Sequence, residues 1–298
     1  HDIPGLAIAV GEGDRILYAR GLGVMDVDTN EPVVPETIFH MASVTKLLVG
    51  TAVMQLEEKG KVDVHKPVIE YLPYFKIKDE RYKKITLFQM LSHLSGMPDC
   101  EDYGWDKPFF DEQALERYVK GLADDDMVLL HEPGKQFFYS NPAYEVLGDV
   151  IAKVSEQSFE DYVQNNIFEP LKMNSSTLLT DEREDKNKMA VPHIKNRKNQ
   201  IVVSDIFPYN REHAPSSTLT SNVLDLIRFG AANLNRGELE GGRILQHSTY
   251  DRLWKVECDV NERERMGISW FLKHHKEYRL MGHEGTDIGF RASFSVMP

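Results

Sequence analysis

The chain is poor in cysteine, with two in 298 residues, Cys100 and Cys258. Two thiols build neither a disulfide framework nor a zinc ligand set, and they pair only if the fold brings them together. Long apolar runs are also missing. The longest stretches are about eight residues, against the roughly 20 that a spanning helix requires, so no membrane span is expected. Positive charge is scarce: 35 Lys and Arg stand against 47 Asp and Glu, a net charge of −12. That sign repels a phosphate backbone or an anionic membrane surface, so nucleic acid is not an expected partner. There is no Gly-x-Ser-x-Gly elbow, which disfavours a typical α/β-hydrolase. His-Glu-x-x-His is absent, and His131-Glu-Pro and His274-His275 lack companion ligands at metal spacing. Gly11-x-Gly13 has no third glycine and precedes no helix, so it makes no dinucleotide site. Neither a metal nor an organic cofactor is expected.

What remains is globular. Apolar residues make up 41% of the chain, enough to bury a large core, and the length suits two domains. Two β-rich runs, 6–10 and 15–21, flank Gly11-Glu-Gly13 as a hairpin would. Val44, Leu47, Leu48, Ala52 and Leu56 recur at helical spacing, and Gly60 ends that run. Helical patterns follow at 86–94, 111–122, 143–154 and 159–167. The polar stretch 181–200 reads as a loop. Helical spacing returns at 223–234, and strand-like runs close the chain at 266–273, 278–282 and 289–296. Strands at both ends with helices between predict one sheet built from both termini, interrupted by a helical insertion, with a cleft between the lobes. Both ends fall inside strand-like segments, so a longer protein is expected, with apolar sheet surface or an unpaired edge exposed here. The compartment stays open.

Three segments could carry chemistry. In Ser43-Val-Thr-Lys46, positions three apart share a helix face, so Lys46 can lie beside Ser43 Oγ. A helix beginning at Ser43 would favour an alkoxide there, and a desolvated lysine loses its proton and can serve as base. The plain alternative is a capping serine and a surface lysine. Tyr139-Ser-Asn141 sits in a Pro- and Gly-bounded loop; a phenol near a lysine can relay a proton and an amide can orient substrate. A core tyrosine and a turn asparagine are the alternative. In Gly282-His-Glu-Gly285 the glycines permit close approach to a strand edge, and His283 could hydrogen-bond a substrate or simply be structural.

Taken in this order, the three segments resemble the penicillin-recognising serine hydrolases, most closely class C β-lactamases, D-aminopeptidases, D,D-peptidases and β-lactamase-like esterases. Ile3-Pro-Gly-Leu-Ala looks like the family's first strand and Phe39-His-Met-Ala-Ser-Val-Thr-Lys46 like its nucleophile segment. Leu91-Ser-His-Leu-Ser-Gly-Met-Pro98 is similar to the His-Thr-Ser-Gly segment. Residues 133–147, with Ile167-Phe-Glu-Pro-Leu171, follow the Tyr-x-Asn region, and Ser217-Thr-Leu-Thr-Ser-Asn-Val-Leu-Asp225 matches the stretch before a late helix.

The resemblance implies an α+β fold: a mostly antiparallel sheet flanked by helices (residues 1–75 and 205–298) with an inserted helical domain (76–204). It implies Ser43 as nucleophile, Lys46 as its activating partner and Tyr139 as the general acid/base, kept basic by Lys46 to take the Ser43 proton and then protonating the leaving group. Asn141 becomes a polar orienting group. His283 and Gly285 take the places of the Lys and Gly of Lys-Thr-Gly, and the N–H groups of Ser43 and Thr286 form the oxyanion hole. The implied activity is acyl-enzyme hydrolysis of a small ester, amide or peptide, including D-amino-acid types. β-Lactamase or D,D-carboxypeptidase activity is one alternative, and a non-catalytic scaffold another.

The chain departs from the family pattern at His283-Glu-Gly, at Ser217-Thr218 in place of Gly-Gly, and at Lys172 in place of a Gly. The last two read as local backbone variation. The first replaces a cation with a histidine largely neutral at pH 7 and adds Glu284. If Glu284 faces the cleft it repels carboxylates and favours neutral esters or amine-bearing substrates; if it faces away it does nothing. An extracytoplasmic location is plausible by resemblance only.

Overall fold

The computed structural model describes residues 3–298. The hairpin forms as the pattern predicts. Gly5–Glu12 pairs antiparallel with Arg15–Gly23, and Gly13, at φ 60°, makes the two-residue loop with Asp14. Primed turns of this kind need a positive φ and match strand twist. At the other end, five antiparallel strands run in the order Phe290–Val296, Tyr278–Asp287, Phe271–His275, Glu264–Met266 and Cys258–Asp259.

The two termini do not share one sheet. The hairpin and the C-terminal sheet are separately hydrogen-bonded units, joined through the helix Val223–Leu234, which the Asn222 side chain caps. On one side Ile227 fills the space beside Gly11, and on the other Gly230 lets Phe294 and Val296 approach. The hairpin's outer face carries Leu6, Ile8, Val10, Tyr18 and Leu22, all exposed. This is the uncovered apolar surface expected from the sequence.

The helix Lys46–Glu58 is buried from Lys46 through Leu56 and forms the centre of the molecule. Thr86 and Gln89 make a reciprocal capping box that starts Leu87–Leu91. Ser140 caps Asn141–Ser155, with Pro142 in its first turn. Gly148 on that helix lies under Pro215, which locks it to the short helix Ala214–Ser217. Within the stretch read as a loop, His193–Lys195 instead forms a strand that pairs with Ile201–Val203 just beyond it. Alternation was too brief there to show. Lys172 adopts φ 54°, the left-handed conformation that explains a glycine in relatives. Cys100 and Cys258 are free thiols. Among the described residues, no helix is long and apolar enough to cross a membrane.

Candidate active site

The Ser43 segment is held from behind. Phe39–His40 pairs with Thr220–Ser221, and the chain then turns sharply, with Ala42 at φ 46°. Residues Ala42–Thr45 form a single 3-10 turn before the helix begins at Lys46. The helix therefore does not begin at Ser43, contrary to expectation. The turn's side-chain bond comes from Thr45 Oγ1 to the Ala42 carbonyl, which leaves the serine hydroxyl free.

Lys46 Nζ lies 3.0 Å from Ser43 Oγ and donates to the Ser216 carbonyl at 2.8 Å. The lysine is fully buried. Burial pushes its pKa down to about 8, with Glu145, Asp99 and Asp287 partly opposing. Tyr139 donates to Ser43 Oγ at 2.9 Å. Desolvation holds its phenol well above the usual range, so at neutral pH it is a proton donor. Tyr139 thus holds its proton more tightly than a free phenol, while burial makes Lys46 easier to deprotonate than a free lysine.

Behind the phenol, the His93 ring stacks at 4.3 Å. Its Nδ1 accepts the Ser140 N–H at 3.1 Å, which fixes the loop that presents Tyr139 and Asn141. Burial holds His93 well below the usual histidine range. The sequence had flagged this segment without assigning His93 a part in the site. Asp99 and Tyr103 were likewise missed: Asp99 Oδ1 accepts from the Asn141 backbone N–H and from its side-chain amide, both at 2.9 Å, and Tyr103 takes the other amide hydrogen.

The opposite wall is Tyr278–Asp287, and His283 sits inside this strand. Nδ1 lies 2.6 Å from the Glu284 carbonyl and so carries the hydrogen. Burial, helped by Lys46, pushes His283 down to about 3, so the ring is neutral. Gly285 places the strand against the nucleophile turn: a Cβ there would lie 2.2 Å from the Met41 carbonyl and 3.1 Å from Ser43 N. Thr286 thereby comes beside Ser43, and both line the cleft. Asp287 Oδ2 accepts from the Ser217 hydroxyl and pairs with His40 Nε2 at 2.8 Å. Position 217, read as backbone variation, is therefore part of the cleft wall. Glu284 lines the cleft, but its carboxylate pairs with Lys273 at 2.9 Å. It is not the unopposed anion that the sequence suggested.

The resulting cleft, about 580 Å³, gathers Ser43, Tyr139, Asn141, His283 and Thr286, drawn from three separate parts of the chain. Among the described residues no group of three or more His, Cys, Asp or Glu side chains is arranged to hold a metal ion. The family model described as Beta-lactamase matches residues 1–298. The chain belongs to the β-lactamase family. Protein flp of Staphylococcus aureus (strain MRSA252) is 28% identical over 300 residues, covering 99% of this chain and 57% of that protein. This β-lactamase-family chain thus spans little more than half of that relative's length. The octameric penicillin-binding protein homologue from Pyrococcus abyssi superposes with a TM-score of 0.87 at 27% identity, over 99% of this chain and 67% of that one. The D-amino acid amidase from Ochrobactrum anthropi SV3 shares the fold, with a TM-score of 0.80 at 20% identity over 97% of this chain and 82% of that one.

Proposed function

We propose that this chain is a serine hydrolase that cleaves ester or amide carbonyls through an acyl-enzyme on Ser43. One observation carries the reading: Ser43 Oγ stands within 3.0 Å of a buried lysine and 2.9 Å of a tyrosine hydroxyl. Neutral Lys46 accepts the Ser43 proton as Oγ attacks. The tetrahedral oxyanion is held by the N–H groups of Ser43 and Thr286, donors typically worth about 3–4 kcal/mol each in the transition state. Tyr139 protonates the leaving group and regains its proton from Lys46. Water attacks the acyl-enzyme by the same route in reverse. A neutral His283 offers no cation to a substrate carboxylate, which favours neutral acyl groups over β-lactams and peptides ending in a free carboxylate.

A fluorophosphonate should label one residue per chain, and peptide mapping should find it at Ser43. Labelling elsewhere, or none, would sink the assignment. The pH dependence carries a definite sign. The active form needs Lys46 unprotonated, so kcat/KM for a neutral nitrophenyl ester should rise about tenfold per unit below pH 8 and level off above it. A flat profile from pH 6 to 8 would exclude Lys46 as the base.

A further inference from the structure

A buried charge stands behind the lysine. The helix Asn141–Ser155 turns one face toward the site: Asn141 lines the cleft, the Tyr144 ring lies 5.4 Å from Lys46 Nζ, and Gly148 packs under Pro215. Glu145 belongs to that face, because residues 141, 144, 145 and 148 share it at helical spacing. Its side chain is fully buried. Oε1 lies 3.1 Å from His213 Nδ1, which therefore carries the hydrogen. Among the described residues Oε2 has no hydrogen-bond partner, an arrangement that costs stability unless nearby charge offsets it.

Two routes lead from this carboxylate to Lys46. The first is mechanical. Tyr103 and Tyr118 hold the His213 ring in T-shaped contacts, with centroids 5.1 and 5.0 Å away. His213 leads into the helix Ala214–Ser217, whose Ser216 carbonyl accepts from Lys46 Nζ at 2.8 Å. The second route is electrostatic. Around Lys46, burial keeps the Tyr139 and Tyr144 phenols and the Cys100 thiol protonated, and the His93 and His283 rings neutral. The phenols of Tyr103 and Tyr118, which face Glu145, are likewise held above the usual range by burial. Three carboxylates remain near the lysine, those of Glu145, Asp99 and Asp287, and Glu145 acts on it most strongly. Asp99 Oδ1 already accepts from the Asn141 backbone and amide and from the Cys100 N–H, and Asp287 Oδ2 is taken up by His40 and Ser217. Glu145 has His213 alone.

We propose that Glu145 is a positioning residue for Lys46: it holds His213, and with it the Ser216 carbonyl that sets the amine beside Ser43, and its buried carboxylate is the counter-charge for the ammonium formed when Lys46 takes the Ser43 proton. That proton leaves Oγ as the bond from Oγ to the acyl carbon forms, and it comes to rest on Nζ. Positive charge therefore develops on Lys46 in the transition state, where a fixed anion stabilises it. This rests on the hydrolase reading above and adds a residue that no motif of the sequence singled out.

The test measures kcat/KM for a neutral nitrophenyl ester from pH 5.5 to 9.5, which reports the free enzyme's base. Glu145→Gln keeps the shape and an acceptor for His213 but removes the charge. The Lys46 ammonium then loses its counter-charge. The acid limb, near pH 8 in wild type, should move down by about one unit or more, and the plateau should fall about tenfold or more. Glu145→Asp keeps the charge and should leave the limb near pH 8. A Glu145→Gln limb still near pH 8 overturns the proposal whatever the rate, because a merely structural residue lowers the rate without moving the limb. A limb displaced as far by Glu145→Asp overturns it too. Denaturant melts at pH 6 give a readout that needs no turnover. There Glu145→Gln should lower the folding constant about tenfold more in wild type than in the Lys46→Met background, where no charge is left to balance. Folding of Glu145→Gln only together with Lys46→Met supports the pairing. Equal losses in both backgrounds, or failure to fold in both, overturn it, while fluorophosphonate labelling of Ser43 leaves the hydrolase reading standing. No turnover and no labelling in wild type overturn the hydrolase reading, and the melts then decide the pairing alone.

Discussion

Lys46→Met should lose about two to four orders of magnitude in kcat/KM and yet unfold later than wild type at pH 7. The loss follows because the thioether cannot take the Ser43 proton, and positioned general bases contribute about 10²–10⁴-fold. The gain follows from linkage. The lysine's pKa falls from 10.5 unfolded to about 8 folded, so the unfolded chain binds the extra proton between those values. Stability therefore rises with pH from 8 to 10.5, and below 8 the whole penalty applies, about 3 kcal/mol at 1.36 kcal/mol per unit. Methionine fills a similar volume without charge but leaves the Ser216 carbonyl unpaired, at a cost of about 1 kcal/mol. A net gain of about 2 kcal/mol is expected at pH 7 from denaturant melts. The gain should vanish and reverse between pH 8 and 10.5. A variant less stable than wild type at pH 6 and 7 would show that the buried lysine carries no such penalty.

Gly285→Ala, a single added methyl, should be nearly as damaging to turnover. Its Cβ would sit 2.2 Å from the Met41 carbonyl and 3.0 Å from the Ala42 Cβ. Main-chain atoms cannot swing aside as a long side chain can, so the strand and the nucleophile turn must separate. Both proposed oxyanion donors ride on those two elements, Ser43 on one and Thr286 on the other. Loss of one aligned donor costs about 10²–10³ in kcat, and overpacking costs about 1–3 kcal/mol of stability. Steady-state kinetics should show the fall mainly in kcat, with KM changed less. Wild-type kcat in a verified Gly285→Ala preparation would place the oxyanion site elsewhere.

The sequence displayed the groups proposed to react more clearly than those that hold them. Ser43 and Lys46 were legible because three residues of spacing bring side chains to one helical face, and Tyr139 because its motif stands in fixed order with theirs. Helix Val223–Leu234 was found to the residue, since its periodicity is long and capped. His93, Asp99, Tyr103 and the Ser216 carbonyl were invisible as site members. Each acts through a contact with a distant segment, and a backbone carbonyl leaves no residue signature at all. Ser43 as a helix start failed because one tight turn intervenes before the helix. Glu284 was not legible as a paired charge because Lys273 reaches it from the neighbouring strand, a contact that no local pattern displays.

The ordering of the chain through the helix Val223–Leu234 bears on how the protein is made. Phe39–His40 finds its strand partner at Thr220–Ser221, 180 residues later, and the hairpin's inner face waits for Ile227. On a ribosome adding about 5–20 residues per second, the first forty residues remain without their packing partners for on the order of ten seconds to half a minute. The nucleophile turn waits longer, for Gly285. Such long-range closure is slow. A nascent chain therefore gains the Ser43 geometry only once Gly285 has been added, after the helical middle of the molecule has had time to collapse.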